Sequence, residues 1–234
     1  MALLLGLPAC RPEPGGSPPD LPEVGIPRCD SRVAIDGKLD ETCYHHEALV
    51  ARFVVAGAPG EAAPATRAWL FWDEDRLLFA FDCEDAHIAA RPPSGVEKDV
   101  DPQDRVEIFL WSGRPEDGYH CLELSPGGAA HDYTARFYRR FDDSWAPAGL
   151  RWSAALAARG YSVEGELPRA ALEDMGFRLR AGERWRLGLF RADFEQAAPG
   201  AEPRWITWVD HGGPPDFHVA GSFGHSVLEE RHER

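Results

Sequence analysis

The residues from Asp104 to Trp111 carry the side chains of this chain that are best suited to chemistry. In an extended strand, side chains alternate between two faces, so Val106, Ile108 and Leu110 share one face. A face with charged groups and aromatic rings suits a polyhydroxylated ligand, because hydroxyls bind charged partners while the C–H faces of a sugar stack on rings. The alternative is that loops cover the rings and solvent surrounds the charges. The opposite face carries Arg105, Glu107, Phe109 and Trp111.

Three aspartates near the start of that segment offer oxygen atoms to a metal ion. Asp99, Asp101 and Asp104 lie at spacings of two and three residues, and Ca²⁺ is bound by about six to eight oxygen ligands. They are candidate calcium ligands, with a solvated acidic loop as the alternative. Calcium is the only cofactor that the residues suggest. Histidines spaced by seven share no strand face and do not favour zinc: His211, His218 and His225.

No catalytic signature is recognisable in the sequence. A glycosidase needs two carboxylates that flank one bond, and nothing selects such a pair among 39 acidic residues. The G-x-S-x-G motif of many serine hydrolases is absent. Haem iron takes axial ligands such as methionine, but Met175 lies in a segment that is predicted to be helical. The sequence therefore predicts a protein that is not an enzyme, with a glycan-processing enzyme and a haem-binding protein as the least favoured alternatives.

The size and charge of the chain limit its partners. A chain of 234 residues with 44% hydrophobic residues is long enough to form one all-β domain with a core. The formal net charge of −14 argues against binding to nucleic acid or anionic lipid, because electrostatic repulsion opposes both encounters. No run of about 18 apolar residues occurs, so a membrane-spanning helix is not predicted.

Short β-type segments recur along the chain at the spacing of an all-β fold. They predict a two-sheet antiparallel β-sandwich, of jelly-roll or immunoglobulin-like type, with one short helix at 168–175. Alternation within 161–167 predicts that Glu164 and Glu166 face water. The predicted strands are 32–35, 49–55, 66–72, 77–83, 105–111, 119–124, 131–138, 151–157, 161–167, 184–191, 204–209 and 222–228.

Four regions are predicted along the chain. Residues 1–10 are a short apolar run that ends in Cys10, which is typical of a bacterial lipoprotein signal; an ordinary disordered terminus is the alternative. Residues 11–30, rich in proline and glycine, predict a disordered tether. Residues 31–228 form the sandwich, and 229–234 are a charged tail. We expect export to the periplasm or cell surface, with a membrane reached only through a lipid on Cys10.

Four cysteines remain if Cys10 carries the lipid, and they allow three pairings. The favoured disulfide joins Cys29 to Cys43, because these two residues close a short loop around a turn. Cys83 and Cys121 are then either paired across strands or buried as free thiols. None of these residues has C-x-x-C spacing, so a zinc or redox motif is not predicted.

Four segments resemble one known family in their order and spacing. They are VAIDGKLDE at 33–41, LFWDED at 70–75, DRVEIF at 104–109, and PDFH followed by SFG within 215–224. Together they resemble the family 9 carbohydrate-binding modules and their stand-alone exported relatives, a branch of the DOMON-like β-sandwich group, over about 33–228. The resemblance implies a β-sandwich that binds the end of a sugar chain between two tryptophans.

The resemblance carries over to single positions unevenly. Glu107 matches a sugar-contacting glutamate of the family, and Phe217 stands where the second stacking tryptophan is expected. Asp101 stands at the position of the first tryptophan. Glu123 and Ser125 stand where the family has an arginine and an asparagine that donate hydrogen bonds to sugar. The resemblance therefore implies a family fold with an altered site.

The resulting prediction is non-catalytic binding of carbohydrate, at the end of an oligosaccharide or polysaccharide. A shift of one residue on the 184–191 strand would place Phe190 in the site instead of an arginine. The main alternative is a scaffold or interaction protein that keeps the sandwich but has lost sugar binding, which Asp101 favours. No nucleic acid partner is expected. The predicted ligand-binding residues are Glu107, Phe217, Arg191, His218 and Trp111.

Overall fold

Two β-sheets face each other across one apolar core in the computed structural model, which describes residues 21–230. Among those residues the larger sheet has nine strands and the smaller has four. Numbered in chain order, the strands are β1 (Glu23–Pro27), β2 (Val54–Val55), β3 (Thr66–Trp72), β4 (Arg76–Glu84), β5 (Arg105–Trp111), β6 (Tyr119–Leu124), β7 (Ala130–Arg136), β8 (Arg140–Asp142), β9 (Arg151–Ala157), β10 (Gly160–Pro168), β11 (Arg184–Asp193), β12 (Arg204–Thr207) and β13 (Gly224–Glu229).

The strand order defines the two layers. The larger sheet runs β1-β13-β11-β5-β6-β7-β8, with β12 also paired to β11 and β2 paired to β12. The smaller sheet runs β3-β4-β10-β9. Pairing between the described strands is antiparallel, except that β1 runs parallel to β13. The predicted all-β sandwich is confirmed.

Helical structure is short. The α-helix α1 (Arg169–Asp174) follows β10, close to the predicted helix at 168–175. Three 3₁₀ segments lie at Thr42–His45, Glu97–Val100 and Ala220–Ser222. None of the helices within residues 21–230 is long and apolar enough to cross a membrane.

The core between the sheets is filled by the aliphatic face of each strand. On β5, Val106, Ile108 and Leu110 are buried in this core with residues of β3, β4 and β10. Since successive side chains of a strand point to opposite faces, Arg105 and Glu107 lie on the other face of the larger sheet. The alternation predicted for this strand is therefore confirmed.

Residues 29–48 form a segment that covers the outer face of the smaller sheet. Val33 and Tyr44 pack there against Trp69 and Phe71 of β3, in a second apolar cluster. The predicted strand at 32–35 is wrong, because these residues pair with none of the described strands and the covering segment contains no strand of its own. The predicted strand at 49–55 is reduced to β2.

A turn in the covering segment is held by Glu164 of β10. Its Oε2 accepts hydrogen bonds from the backbone N–H groups of Asp36 and Gly37, both at 3.1 Å, and its Oε1 accepts one from the Tyr44 hydroxyl at 2.9 Å. Gly37 has a φ of +87°, and a Cβ there would lie 2.6 Å from the carbonyl carbon of Ala154. The turn therefore requires glycine, which gives the I-D-G sequence a structural cause.

The prediction that Glu164 and Glu166 face water is wrong. Glu164 is fully buried under the covering segment, and Glu166 is buried in ion pairs with Arg76 and Arg151. Alternation places both side chains on the outer face of the smaller sheet, as expected. A segment distant in sequence covers that face, and a local pattern carries no information about it.

The amino-terminal boundary also differs from the prediction. Residues 11–30 are predicted to be a disordered tether, but Glu23–Pro27 form β1, in which Ile26 is fully buried. The average composition of residues 11–30 is polar, and it gives no indication that one residue, Ile26, is buried in the core. Cys10 and the rest of the predicted signal segment lie outside the described residues, as do residues 231–234 of the predicted tail.

The four cysteines of the described chain are buried free thiols. Cys29 and Cys43 lie in the covering cluster, and a hydrogen bond with the Cys43 side chain lowers the pKa of the Cys29 thiol to about 6. Cys29 and Cys43, the favoured pair, are therefore neighbours in the structure, and a disulfide between them stays a prediction. Cys83 lies between the sheets and Cys121 on the outer face of the larger sheet. A bond across strands between these two is therefore wrong, since the sheet separates them.

A buried histidine should make stability depend on pH. His120 of β6 packs against Trp145 and Phe177, with ring centroids 4.8 and 6.2 Å away, and burial lowers its pKa to about 4. The imidazole of the unfolded chain binds a proton more readily than the packed imidazole of the folded chain. The free energy of unfolding therefore decreases as the pH falls from about 6.5 to about 4. We expect His120→Phe to reduce the stability lost between about pH 7.5 and 4.5 by about 2 kcal/mol.

Urea unfolding at the two pH values measures this difference. The exposed His87 provides the control, because His87→Phe should leave the pH dependence of the wild type unchanged. If His120→Phe loses as much stability on acidification as the wild type, burial of this imidazole does not contribute to the pH dependence.

Candidate functional site

The outer face of the larger sheet is divided into an aromatic end and a polar end. Side chains of β5, β6, β7 and β11 point out from this face, and residues 215–223 lie over part of it. The aromatic end is a buried cluster that includes Phe109, Trp111, Tyr119 and Phe223. The polar end, around Arg105, opens into a pocket.

Trp111 belongs to the aromatic end and not to the pocket. Its Nε1 donates a hydrogen bond to the Arg114 carbonyl at 2.9 Å, the guanidinium of Arg186 lies 5.2 Å from its ring centroid, and Phe223 packs against it at 5.6 Å. The structure does not bring the predicted ligand-binding residue Trp111 to the pocket, because loops cover both aromatic rings of β5. For Phe109 and Trp111 the alternative reading of the sequence is the correct one.

The pocket has a volume of about 350 Å³, within the range of small-molecule sites. Its deep part consists of buried side chains on β5, β6 and β7, and its sides come from β12 and from residues around Asp216. The lining residues are Lys98, Asp101, Arg105, Glu107, Glu123, His131, Tyr133, Arg139, Phe141, Asp143, Trp205, Pro215, Asp216, Phe217 and His218.

Arg105 joins two carboxylates at the bottom of the pocket. Its Nε donates to Glu107 Oε1 at 2.9 Å and lies 2.8 Å from Glu123 Oε2, and Tyr133 donates its hydroxyl proton to Glu123 Oε1 at 2.7 Å. The guanidinium also lies 5.5 Å from the ring centroid of Trp205. The carboxylates and the guanidinium are thus held in one geometry before any ligand arrives.

Burial raises the pKa of two acids in the pocket. It raises the pKa of Glu107 to about 8, and the neighbouring Glu123 raises it further in the same direction, while Arg105 opposes both. Burial also raises the pKa of Asp101. Near neutral pH, Glu107 therefore exists in both protonation states, so its carboxyl group can donate or accept a hydrogen bond with a hydroxyl.

Phe217 and His218 form one wall of the pocket. Phe217 stacks on Phe190, with ring centroids 4.0 Å apart and an interplanar angle of 14°, and Trp205 packs against it at 5.3 Å. Phe217 is 6% exposed, so only a small part of its ring reaches the pocket. His218 Nδ1 lies 2.9 Å from the Tyr119 hydroxyl, and burial lowers the pKa of this imidazole to about 4. His218 is therefore neutral at physiological pH. The structure brings together three of the predicted ligand-binding residues: Glu107, Phe217 and His218.

Arg191 is not part of the pocket. Its fully buried guanidinium donates from Nη2 to Asp85 at 2.9 Å and to Asp193 at 2.7 Å, and from Nη1 to the Glu84 carbonyl at 2.9 Å. The structure does not bring the predicted ligand-binding residue Arg191 to the pocket, and the difference is one residue of strand register: Phe190, paired with Glu107 across β11 and β5, holds the position on the site face.

The three predicted calcium ligands do not converge. Asp99 pairs with Ser94, Asp101 lines the pocket, and the two carboxylate oxygens of Asp104 accept hydrogen bonds from the N–H groups of Ala89 and Phe194. The prediction of a calcium site at Asp99, Asp101 and Asp104 is therefore wrong. Asp104 instead groups with two other aspartates, and the guanidinium between those two supplies the positive charge there.

Three residues that line the pocket are not among those predicted from the sequence: His131, Tyr133 and Trp205. His131 and Tyr133 lie on β7, the second strand of the β6–β7 hairpin. The turn of this hairpin contains Ser125-Pro126-Gly127-Gly128. The register of that hairpin sets Glu123 opposite His131. Applying this register to the Glu123 position would have placed His131 in the site. Nothing in the local sequence indicates that Trp205 lies over Arg105.

Comparison with known proteins gives one family and several solved structures. The family model for the carbohydrate family 9 binding domain-like family matches residues 35–231. A family 9 carbohydrate-binding module from Caldicellulosiruptor kristjanssonii, solved with cellotriose, has a TM-score of 0.62 and 16% identity over 91% of this chain and 96% of that chain. No significant match was found among curated protein sequences.

Two further structures have a similar fold. A protein from Bacteroides uniformis, provisionally described as carbohydrate-binding, has a TM-score of 0.66 and 16% identity over 88% of this chain and 98% of its own. A family 9 module from Caldicellulosiruptor kristjanssonii in complex with glucose has a TM-score of 0.56 and 15% identity over 91% and 98%. At these identities the likeness concerns the fold.

Proposed function

The chain belongs to the carbohydrate family 9 binding domain-like family, and we propose that its pocket binds carbohydrate without changing it chemically. One observation carries the proposal: aromatic rings, Phe217 and Trp205 among them, line the same pocket as the fixed group of Glu107, Arg105 and Glu123. A sugar presents apolar C–H faces and hydroxyls together, and this pocket offers a partner for each.

The size of the pocket favours a terminal sugar over the interior of a chain. A volume of about 350 Å³ admits one or two sugar units and not an extended polysaccharide. The solved family 9 modules bound to glucose and cellotriose support this ligand class. We expect a dissociation constant of about micromolar or weaker, because a small site buries little area and must release ordered water.

The arrangement of the carboxylates favours binding over hydrolysis. A glycosidase holds one carboxylic acid and one free carboxylate on either side of the scissile bond. Here Glu107 and Glu123 share Arg105 between them, so each is occupied by the same cation. Met175 packs against the core between the sheets and does not line the pocket, which gives no support to haem binding.

Titration calorimetry with glucose, cellobiose, cellotriose and a broad set of other oligosaccharides tests the proposal. Phe217→Ala should weaken binding about tenfold or more, because the ligand loses its stacking surface. Leu156→Ala is a matched control, since Leu156 is an exposed apolar side chain on β9 of the smaller sheet. This control should bind like the wild type.

The alternative function predicts a different outcome. Asp101 stands where the family has its first stacking tryptophan, and a scaffold that has lost sugar binding would give no heat with any sugar tested. A wild type that binds none of the sugars, or a Phe217→Ala variant that binds as tightly as the wild type, would contradict the proposed site.

Export and lipid anchoring extend the proposal to the location of the protein. The apolar run that ends at Cys10 supports both, and residues 11–20, with their prolines and glycines, would separate the sandwich from the membrane. Mass spectrometry of the mature protein from its native host tests this. An amino terminus other than a lipid-modified Cys10 would contradict the anchor.

A further inference from the structure

His131, on β7, is a buried histidine at the edge of the pocket that the proposed sugar contacts do not use. The residue is 7% exposed, and neither ring nitrogen makes a hydrogen bond of good geometry with the residues that the structure describes, although Nε2 lies 3.4 Å from Asp143 Oδ1. Its Nδ1 faces Asp101 Oδ1 at 3.9 Å, and Glu123 is its partner across the β6–β7 pair. Polar groups that are buried without partners are rare in proteins, and an ion that occupies the site is one of their recognised causes.

The donor atoms of three residues are close enough to share one ion. One atom each from Asp101, Glu123 and His131 lie within 4.8 Å of one another. Atoms bound to one tetrahedral Zn²⁺ at about 2.0–2.2 Å lie about 3.3–3.6 Å apart, so an adjustment of about an ångström is needed. Asp101 can make that adjustment, because its side chain is 57% exposed.

The charges around these atoms favour a cation. The Arg139–Asp216 ion pair at the rim is neutral in itself. The other charged lining residues are the cations Lys98 and Arg105 and four acids: Asp101, Glu107, Glu123 and Asp143. Even when Glu107 is protonated, because burial raises its pKa to about 8, one negative charge is left over. Glu123 already accepts from Arg105 and Tyr133, but a carboxylate has about four lone-pair sites and keeps capacity for an ion.

We propose that Asp101, Glu123 and His131 bind a divalent transition-metal ion of the Zn²⁺ type. The imidazole favours zinc over calcium, which binds oxygen almost exclusively. Asp143 Oδ1 lies 3.4 Å from His131 Nε2. With the metal on Nδ1, Asp143 would accept a hydrogen bond from Nε2 and fix the ring, as carboxylates do behind many metal-bound histidines.

Three protein ligands leave at least one coordination position open to the pocket. A sugar hydroxyl or carboxylate oxygen fits that position, and this last step rests on the proposed function. Metal binding itself does not depend on it. Asp101 stands at the position of the family's first stacking tryptophan, and in this proposal it binds the metal ion instead of stacking on a sugar.

Calorimetric titration of the chelator-treated full chain with ZnCl₂ alone tests the site. The wild type should bind one Zn²⁺. His131→Phe and Asp101→Asn should each weaken binding by tenfold or more, and Asp143→Asn by about tenfold through the loss of ring orientation. Asp99→Asn is the matched control, since this half-buried aspartate in the same segment lies outside the three-residue group. It should bind like the wild type.

Several results would overturn the metal site. They are a wild type without saturable Zn²⁺ binding, variants at His131 and Asp101 that bind like the wild type, and a loss of binding confined to Cys29→Ser, which would place the ion at the thiol pair. Because Asp101→Asn keeps the shape of a half-exposed side chain, the test stands even if His131→Phe does not fold. Sugar binding measured in the presence of chelator separates this proposal from the proposed function.

Discussion

Arg191→Met should lower the free energy of unfolding by about 3–5 kcal/mol at about pH 8. The guanidinium of Arg191 is fully buried and bonds to Asp85 and Asp193, and Asp104 belongs to the same group of carboxylates. Methionine fills much of the volume but leaves these acids without a buried counter-ion. The cost of an uncompensated charge in the interior is larger than the cost of losing an exposed ion pair.

The deficit of Arg191→Met should become smaller as the pH falls. Burial raises the pKa of Asp104 to about 7 and also raises the pKa of Asp193. A carboxyl whose pKa is raised in the folded state contributes stability that is fully present below its unfolded value, near 4, and is lost as the pH rises through the folded value. Without Arg191 this behaviour should be stronger, so urea unfolding at about pH 5 should show a smaller loss than at about pH 8.

Arg204→Met is the matched control for Arg191→Met. Arg204 reaches Asp193 from the surface, at 3.9 Å, and its side chain is 41% exposed. We expect it to cost less than about 1 kcal/mol. Equal losses for the two variants would contradict a structural role of Arg191. Reduced sugar affinity of folded Arg191→Met would restore Arg191 to the ligand site.

Glu164→Ala should lower the free energy of unfolding by about 3 kcal/mol or more, and the Tm by about 6–12 °C. Glu164 is the acceptor for the N–H groups of Asp36 and Gly37 and for the Tyr44 hydroxyl. Alanine leaves all three donors without this acceptor under a covered surface. Thermal unfolding followed by circular dichroism measures the effect.

Two variants separate the turn from general damage by mutation. Glu164→Gln keeps an oxygen acceptor of the same reach, so it should recover most of the stability that Glu164→Ala loses. Asp36→Ala removes a side chain of the same turn that bonds only to the exposed Lys38 among the described residues, and it should cost less than about 1 kcal/mol. A Glu164→Ala variant as stable as Asp36→Ala would show that the turn does not depend on the carboxylate.

The features that the sequence predicts correctly depend on local patterns. The alternation of Val106, Ile108 and Leu110 fixes the faces of β5, and the same alternation puts Glu107 on the site face. Phe217 and His218 come from a segment chosen by resemblance, and they reach the pocket because the loop before β13 turns back over the sheet. Strand β5 has the predicted bounds because its residue types and their period agree.

The sequence does not predict which residues on the outer faces of the two sheets are buried, because that depends on segments far away in the chain. Trp111 and Glu164 both alternate correctly and both lie on outer faces, yet each is buried under residues far away in sequence. Arg191 fails for another reason, because a one-residue uncertainty in register exchanges the two faces of a strand. His131 depends on a hairpin register that the turn sequence only partly fixes.

The pairing of β1 with β13 has a consequence for folding speed. Glu23 pairs with His225, so the first described strand docks onto the last one, and this edge of the larger sheet joins residues that are far apart in the chain. Contacts of such long sequence separation raise the contact order and slow the search for the native state. Until both ends meet, β13 is an uncovered edge open to pairing with another molecule. Refolding at high concentration should therefore favour aggregation through this edge before β1 closes it.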